Sequence, residues 1–303
     1  MVNRIIFSLL ILVFSCSVDR KNESNTPLTI VTTTGMIADA TKNIVGDSAE
    51  VIALMGPGVD PHLYKATQGD LEKLTNADII VYNGLHLEGK MGEVLKKLSR
   101  VKSVIAVADG VDPSLLKTAP EFNNSYDPHI WFDVKLWQIA VQHLSSELGK
   151  NHPDASVYFD SNFKSYKSRL DTLDQWVAER ITEISEEGRV LITAHDAFGY
   201  FGTAYGLKVR GLQGISTLSE YGLRDVANLV DYIVEKQIKA VFVETSVSEK
   251  AINAVVEGCR QKGFNVTIGG NLFSDAMGAE GTPESNYTGM VRSNVNTIVN
   301  ALR

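Results

Sequence analysis

Short apolar runs alternate with amphipathic stretches along most of the chain. The apolar runs are rich in Val, Ile and Phe, which is typical of buried strands. The stretches between them place apolar residues three and four positions apart, as one face of a helix does. Parallel sheets that are covered by helices on both faces produce this alternation. The predicted strands are 28–33, 50–55, 78–82, 103–107, 189–193, 207–212, 240–244 and 265–268.

One periodic stretch, residues 154–187, is longer than the helices of such layers usually are. Pro153 precedes it and Gly188 lies at its end, and both residues are tolerated at those positions. Some 30 residues of helix would span roughly 45–50 Å. A helix of this length either crosses one globule or joins two. Two Asp-Pro-His tripeptides before it, and His195 and Asp275 after it, favour two parallel-sheet α/β lobes, 28–153 and 188–303, joined by one connecting helix at 154–187. Its apolar stripe consists of Phe163, Tyr166, Leu170, Leu173, Val177, Ile181 and Ile184.

The amino terminus has the pattern of a targeting segment. Arg4 supplies a positive charge, and residues 5–14 form an apolar run that is too short to span a bilayer comfortably. The run leads to Cys16 in a context that resembles the bacterial lipobox, although Phe14 is bulkier than usual. We expect a lipoprotein signal peptide at 1–16, with lipid on Cys16, and a polar tether at 17–27. An ordinary secretory signal with an incidental cysteine is the alternative.

Composition sets wide limits on the function. The 303 residues are 44% hydrophobic, enough for two domains that each have their own core. The net charge of −7 argues against a nucleic-acid partner, which needs clustered Lys and Arg. Cys259 is the other cysteine of the chain, so it cannot form an internal disulfide once Cys16 carries lipid. We expect Cys259 to be buried on a helix.

Four residues form a candidate metal site. His62 and His129 each end an Asp-Pro-His tripeptide, His195 follows a predicted strand, and Asp275 lies in the loop after the last one. Ligands of parallel α/β folds bind beyond the carboxyl ends of strands. Three imidazoles and one carboxylate suit a divalent transition metal. They fill four coordination positions and leave none for water, which predicts a site that holds a metal rather than a catalytic one.

The motifs around these residues resemble a known family. The chain is identified as a member of the metal-binding lipoproteins that supply ABC importers of zinc and manganese, and it is most similar to the TroA type. The resemblance extends over nearly everything from Thr29 onward, in family order. It implies two α/β lobes, one connecting helix and a metal in the cleft between the lobes. The matching segments are GPGVDPHLYKATQGDLEKL, YNGLHLEGKM, DPHIWFDV, LITAHDAFGYF, LQGIST, VFVETSV and IGGNLFSDAMG.

The resemblance implies that His62, His129, His195 and Asp275 hold one Zn²⁺ or Mn²⁺ ion as cargo. In manganese-selective relatives a glutamate stands at the place of His195, so the ligand set favours zinc, with manganese as an alternative physiological cargo. The chain departs from the zinc-specialised branch, whose long His-rich loop corresponds here to a short interval without histidine, 109–127. The disulfide of those relatives is missing too.

Three carboxylates have a possible supporting role. Asp60, Asp127 and Glu244 could accept the second ring N–H of a ligand histidine, as carboxylates near metals commonly do. The alternative is that the two aspartates only shape their turns. His86 follows a strand and could approach the cleft, but we expect a loop residue. Structural or exposed positions are expected for His143 and His152, and core packing is expected for Trp131, Trp137 and Trp176.

The expected function is therefore capture of a divalent metal outside the cytoplasm and delivery to the permease and ATPase of an ABC importer. We expect a monomer, anchored by lipid to a bacterial membrane on its periplasmic or cell-surface side, that is not an enzyme. The long helix should limit the lobes to small rocking motions. One alternative is a metal-dependent hydrolase, which would need an open coordination position and a general base; the other is a lipid-anchored surface adhesin.

Overall fold

A computed structural model describes residues 28–119 and 124–303. The predicted signal peptide, the tether and Cys16 lie outside these residues. The strands are β1 Leu28–Thr32, β2 Ala49–Ala53, β3 Ile79–Tyr82, β4 Ser103–Ala106, β5 Thr118–Ala119, β6 Ser125–Tyr126, β7 Val190–His195, β8 Lys208–Gln213, β9 Ala240–Glu244 and β10 Thr267–Leu272. The helices are α1 Gly35–Val45, α2 Gln68–Asn76, α3 Gly92–Leu98, α4 Val134–Asn151, α5 Ser156–Ile181, α6 Gly199–Tyr205, α7 Leu223–Lys236, α8 Lys250–Gln261 and α9 Tyr287–Leu302.

The amino-terminal half contains a four-stranded parallel sheet in the order β2-β1-β3-β4. Its central strand β1 pairs with β2 and β3, so that Thr32 lies opposite both Ala53 and Val81. Because the strands are parallel, their carboxyl ends share one edge, and the loops that leave this edge lie close together. This part of the predicted α/β architecture is confirmed.

The carboxyl-terminal half repeats the parallel arrangement. Strand β7 pairs with β8, β9 pairs with β10, and β7 lies alongside β9. The last strand was expected at 265–268 but runs through Thr267–Leu272, with an irregularity in its register between Ile268 and Gly270. Gly270 has a φ of 145°, which a residue with a side chain rarely adopts. The longer strand carries the chain close to Asp275.

The helix α5 connects the two halves. It has 26 residues and a length of about 39 Å, so it is shorter than the predicted segment 154–187. After Ile181 the backbone bonds tighten to the i→i+3 pattern, as in the bond from the Ile184 N–H to the Ile181 carbonyl, although Ile184 continues the buried stripe. The helix packs against α1, α4 and α9, and therefore against both halves. Among the described residues, no helix combines the length and apolar character needed to cross a bilayer.

The hydrophobic core is shared between the halves, contrary to the expectation of two separate cores. One continuous cluster contains Ile30 and Trp137 from the first half, Leu170 from α5, and Phe242 and Ile298 from the second half. Smaller clusters lie within each half. Cys259 is fully buried on α8 in one of these smaller clusters, as expected. The halves are therefore joined by apolar packing as well as by α5.

A short antiparallel pair of strands, β5 and β6, lies in the interval 109–127, where no strand was predicted. Each strand has two residues, too few for an alternating pattern to be recognised. The hairpin leads directly to Asp127 and the second Asp-Pro-His tripeptide.

Candidate metal centre

The four predicted ligand residues converge on one buried point. His62, His129, His195 and Asp275 each offer one ligand atom, and these atoms all lie within 4.8 Å of one another. The three histidines are 0% exposed and Asp275 is 1% exposed. The cluster is therefore enclosed by protein on all sides, and it brings together residues from both halves of the chain.

Each ligand residue lies at or beyond the carboxyl end of a strand. His62 is in the loop between β2 and α2, and His129 lies between β6 and α4. His195 ends β7, and Asp275 follows β10. For His62, His195 and Asp275 the position follows from the parallel topology, because loops at the carboxyl ends of parallel strands share one edge of a sheet. His129 instead follows the antiparallel strand β6.

The two Asp-Pro-His tripeptides form the same local structure. Asp60 Oδ1 accepts the backbone N–H of His62 at 2.8 Å, and Asp127 Oδ1 accepts the backbone N–H of His129 at 3.0 Å. An aspartate that bonds two residues ahead closes an Asx turn, and the intervening proline restricts φ. The tripeptide therefore fixes the direction in which each histidine leaves the backbone.

The spacing of the ligand atoms fits a tetrahedral ion. Asp275 Oδ2 lies 3.2 Å from His195 Nε2 and 3.8 Å from His62 Nε2, and Asp275 Oδ1 lies 3.4 Å from His129 Nε2. Four ligands with bonds of 2.0–2.2 Å to zinc are about 3.4 Å apart. These nitrogen and oxygen atoms are buried and have no hydrogen-bond partner among the described residues. Since buried polar atoms are normally satisfied, the cluster has the properties of a cation site.

Two carboxylates support the ligand histidines from behind. Asp127 Oδ1 lies 2.7 Å from His129 Nδ1. Glu244 Oε1 accepts the backbone N–H of His195 at 2.9 Å, and Glu244 Oε2 lies 2.6 Å from His195 Nδ1, although off the direction of a hydrogen bond. Such carboxylates hold the ring orientation and raise the basicity of the ligand nitrogen.

The carboxylate of Asp60 has a different role from those of Asp127 and Glu244. It accepts the backbone N–H of His62 rather than a ring N–H, so the turn-shaping alternative describes it. Its second oxygen, Oδ2, accepts a hydrogen bond from the Thr217 hydroxyl at 2.5 Å. The Nδ1 atom of His62 has no partner among the described residues. His62 is therefore the least supported of the three imidazoles.

The pKa values of the four cluster residues are shifted in two directions: those of His62 and Asp275 are lowered, and those of His129 and His195 are raised. Burial lowers the pKa of His62 to about 3, helped by the neighbouring His129 and His195 and opposed by Asp275. Burial acts to raise the pKa of Asp275, but His195 and His129, at 3.2 and 3.4 Å from its oxygens, outweigh it and hold that pKa well below its usual range.

The other two histidines are shifted in the opposite direction. Burial acts to lower the pKa of His129, but the carboxylates of Asp127 and Asp275 outweigh it and raise the pKa to about 9. Burial is likewise outweighed at His195, where Glu244 and Asp275 raise the pKa well above its ordinary value. Without a metal, protons on these two rings balance the surrounding carboxylates at neutral pH.

Two residues near the site have contacts that the sequence analysis did not identify. Asn83 Nδ2 donates to the Pro128 carbonyl at 3.0 Å and so holds the second tripeptide. Trp131 packs edge-on against His129, with ring centroids 5.2 Å apart, and its indole N–H donates to the Ser274 carbonyl at 3.1 Å. Both residues lie in segments that carry the family resemblance. The hydrogen bond from Trp131 to Ser274 joins residues 143 positions apart, so no local sequence pattern could predict it.

The remaining histidines and tryptophans lie outside the cluster. His86 is exposed on the loop after β3. His143 and His152 are partly buried, on α4 and at its end. Trp137 is in the shared core, and Trp176 is partly buried beneath the guanidinium of Arg292. The two histidines agree with the structural or exposed positions expected for them. Trp137 agrees with the expected core packing, whereas Trp176 packs against the core and is only partly buried.

Comparisons with known proteins find matches over nearly the whole chain. The family model for "Zinc-uptake complex component A periplasmic" matches residues 30–301. The manganese-binding lipoprotein MntA of Bacillus subtilis is 54% identical over 289 residues, which cover 95% of this chain and 94% of the relative. The zinc-binding protein TroA of Treponema pallidum is 48% identical over 273 residues, 90% of this chain and 88% of the relative.

The fold agrees with solved structures as well. The structure of the periplasmic zinc-binding protein TroA from Treponema pallidum superposes with a TM-score of 0.89 at 48% identity. The match covers 91% of this chain and 99% of that one. A second TroA structure, from a study of metal-binding specificity, matches with a TM-score of 0.87 at 35% identity and covers 92% of this chain and 100% of that one.

Proposed function

The chain belongs to the family of the periplasmic component A of zinc-uptake complexes, and we propose on this basis that its buried cluster binds the metal that an importer takes up. The protein is a solute-binding component that captures a divalent transition metal outside the cytoplasm and delivers it to the permease and ATPase of an ABC importer. The observation that carries this proposal is the convergence of four ligand atoms, all buried, within 4.8 Å.

His62, His129, His195 and Asp275 are the proposed ligands, and one ion is bound per chain. The relatives are named for both candidate metals, MntA for manganese and TroA for zinc. Three imidazoles and one carboxylate form a softer set than one richer in carboxylates, which supports zinc as the more tightly bound ion. Zinc exceeds manganese in intrinsic affinity at almost any such site, so tighter binding of zinc does not identify the physiological cargo. Manganese is therefore kept as the alternative cargo.

The chain is not an enzyme, because it belongs to a family of metal-uptake binding proteins. The enclosed four-residue site also has no position reserved for a reacting water, which a metallohydrolase needs. No relative described above supports the adhesin alternative.

The attachment to a membrane is a further part of the proposal. Cys16 would carry lipid, residues 17–27 would act as the tether, and the protein would work as a monomer with lobes at 28–153 and 188–303. The lipoprotein name of MntA and the lipobox-like sequence before Cys16 support the anchor. Replacing Cys16 with serine should move the expressed protein from the membrane fraction to the aqueous fraction, and an unchanged distribution would refute the lipid anchor.

The binding function is tested by metal analysis of the purified protein. Protein taken from its own compartment should contain about one zinc or manganese ion per chain, and X-ray absorption should report nitrogen and oxygen ligands without sulfur. His195→Ala should lose the ion, because it removes one ligand and leaves Glu244 unpaired. His86→Ala, which removes an exposed histidine outside the cluster, should retain it. Equal metal content in the two variants would contradict the proposed site.

A further inference from the structure

The residues around the cluster are not held equally firmly. Three of the four ligands are fixed by several neighbours. His129 is held by Asp127 and lies beside Trp131, and His195 is part of β7 and is held by Glu244.

The segment that carries Asp275 is fixed as well. The side chain of Asn294 pairs with both backbone groups of Phe273, at 2.9 and 2.8 Å. The indole of Trp131 bonds to the next carbonyl, that of Ser274. His62 has one such restraint, the turn closed by Asp60.

On one wall of the cleft, several cross-lobe contacts join the strands β5 and β6 to α6. The Lys117 N–H donates to the Tyr200 hydroxyl, which donates to the Asp127 carbonyl, both at 3.0 Å. Lys117 Nζ donates to the Gly199 carbonyl and to the Thr203 hydroxyl, each at 2.9 Å. The rings of Phe132 and Phe198 stack nearby, with centroids 4.2 Å apart. Opening this wall would break all of these contacts together.

On the side of His62, the second half contributes the segment 216–221, here called the strap, between β8 and α7. A side-chain carbon added to Gly89 would lie 3.0 Å from Leu218 and 3.4 Å from the His62 carbonyl, so Gly89 lies close to both the strap and the His62 loop. Leu218 is 44% exposed. The strap is closed on itself by the Ser219 N–H and hydroxyl, which both donate to the Ser216 carbonyl.

A single hydrogen bond joins the strap to the first half among the described residues. The Thr217 hydroxyl donates to Asp60 Oδ2 at 2.5 Å, across 157 positions of the chain. The same carboxylate accepts the His62 backbone N–H through Oδ1. Thr217 is therefore connected through one side chain to the backbone of the least supported ligand.

We propose that Thr217 is a positioning residue that latches the strap over His62, and that the metal enters and leaves between the strap and the His62 loop. This inference rests on the proposed function and names the side of the site that opens. When the Thr217–Asp60 hydrogen bond breaks, the strap is released from the first half. Asp60 Oδ2 then loses the hydrogen bond that restrains the Asp60 turn, while the contacts that join β5 and β6 to α6 remain in place.

The test compares three variants by the rate at which bound zinc is lost to a chromophoric chelator in stopped flow. Thr217→Val removes the hydroxyl and keeps the shape, and it should raise the dissociation rate about tenfold, the loss expected for one hydrogen bond to a charged group. Thr217→Ser restores a hydroxyl and should return the rate to within about twofold of the parent. Lys117→Met, the matched control, removes a cross-lobe hydrogen-bond donor on the opposite wall and should also stay within about twofold.

The thermal midpoint of the metal-free protein separates a latch from a general loss of stability. It should fall no further in Thr217→Val than in Lys117→Met, because each substitution removes one side-chain donor group that joins the halves. An unchanged dissociation rate in Thr217→Val, or an equal acceleration in Lys117→Met, would overturn the latch. If the parent itself bound no zinc, the proposed function would fail instead, so the two failures are distinguishable.

Discussion

At the scale of single residues, the site depends on pairs of histidine and carboxylate. His129 with Asp127 and His195 with Glu244 have the same arrangement, in which one ring nitrogen faces the cluster and the other faces a buried acid. His62 departs from it, since its aspartate is used by the backbone. Two of the three imidazoles are therefore preorganised by charge, and the third by turn geometry alone.

Glu244→Gln tests the contribution of one such acid. The substitution keeps an oxygen for the His195 N–H but removes the negative charge beside His195 Nδ1. We expect zinc affinity to fall about 10- to 100-fold, the usual effect of losing a partner of a metal-binding histidine. Competition with a chromophoric chelator measures it. Glu249→Gln, on an exposed position before α8, is the control, and equal affinities would show that Glu244 does not tune the ligand.

Protons should compete with the metal in a wider pH range than for ordinary imidazoles. The pKa of His129 is raised to about 9 and that of His195 is raised as well, so both rings hold protons in the metal-free site at pH 7. Coordination needs neutral rings, so binding releases these protons and affinity rises as the pH rises towards the raised pKa values. His62, with its pKa lowered to about 3, releases none.

Calorimetry at pH 7 in buffers of different ionisation enthalpy counts the released protons. We expect about two per zinc ion, one from each raised histidine. Three imidazoles with the ordinary pKa of about 6.5 would instead lose affinity for the metal only below about pH 6. A binding enthalpy that is independent of the buffer would contradict the raised pKa values.

At the scale of secondary structure, the site is a property of strand ends. β7 ends at His195 in register with Gln213 of β8, and β10 carries the chain towards Asp275. The apolar pattern predicted β7 well, because this strand is buried on both faces. It placed β10 too early, because most residues of that strand are exposed or partly buried. It could not predict where α5 ends, since Ile184 continues the stripe after the helical bonds have stopped. The end of a helix depends on the backbone hydrogen bonds of its last turn, and the spacing of apolar residues does not predict these bonds.

At the scale of the whole molecule, the shared core decides how far the halves can move. Core residues from both halves pack on α5, and a hydrogen bond from the Tyr287 hydroxyl to the Trp131 carbonyl, at 2.7 Å, crosses between them. A wide hinge opening would expose part of this core to water, at a cost proportional to the apolar area. Local movement over His62 exposes far less.

Small-angle scattering should therefore show little change on metal binding. A compact chain of this length has a radius of gyration of about 19 Å. We expect the radii of gyration of the metal-free and zinc-bound forms to differ by less than about 1 Å. A compaction of several ångströms on adding zinc would contradict the restraint by α5 and the shared core.

The sequence by itself determined the parallel α/β architecture and the four residues that could hold a metal. It could do so because strand and helix patterns are local, and because the Asp-Pro-His turns carry their chemistry within three residues. Tertiary structure alone decided that Glu244 supports His195 across 49 positions, that Thr217 reaches Asp60 across 157, and that both halves share one core. Such pairings depend on how whole elements pack, and no local pattern of residues encodes them.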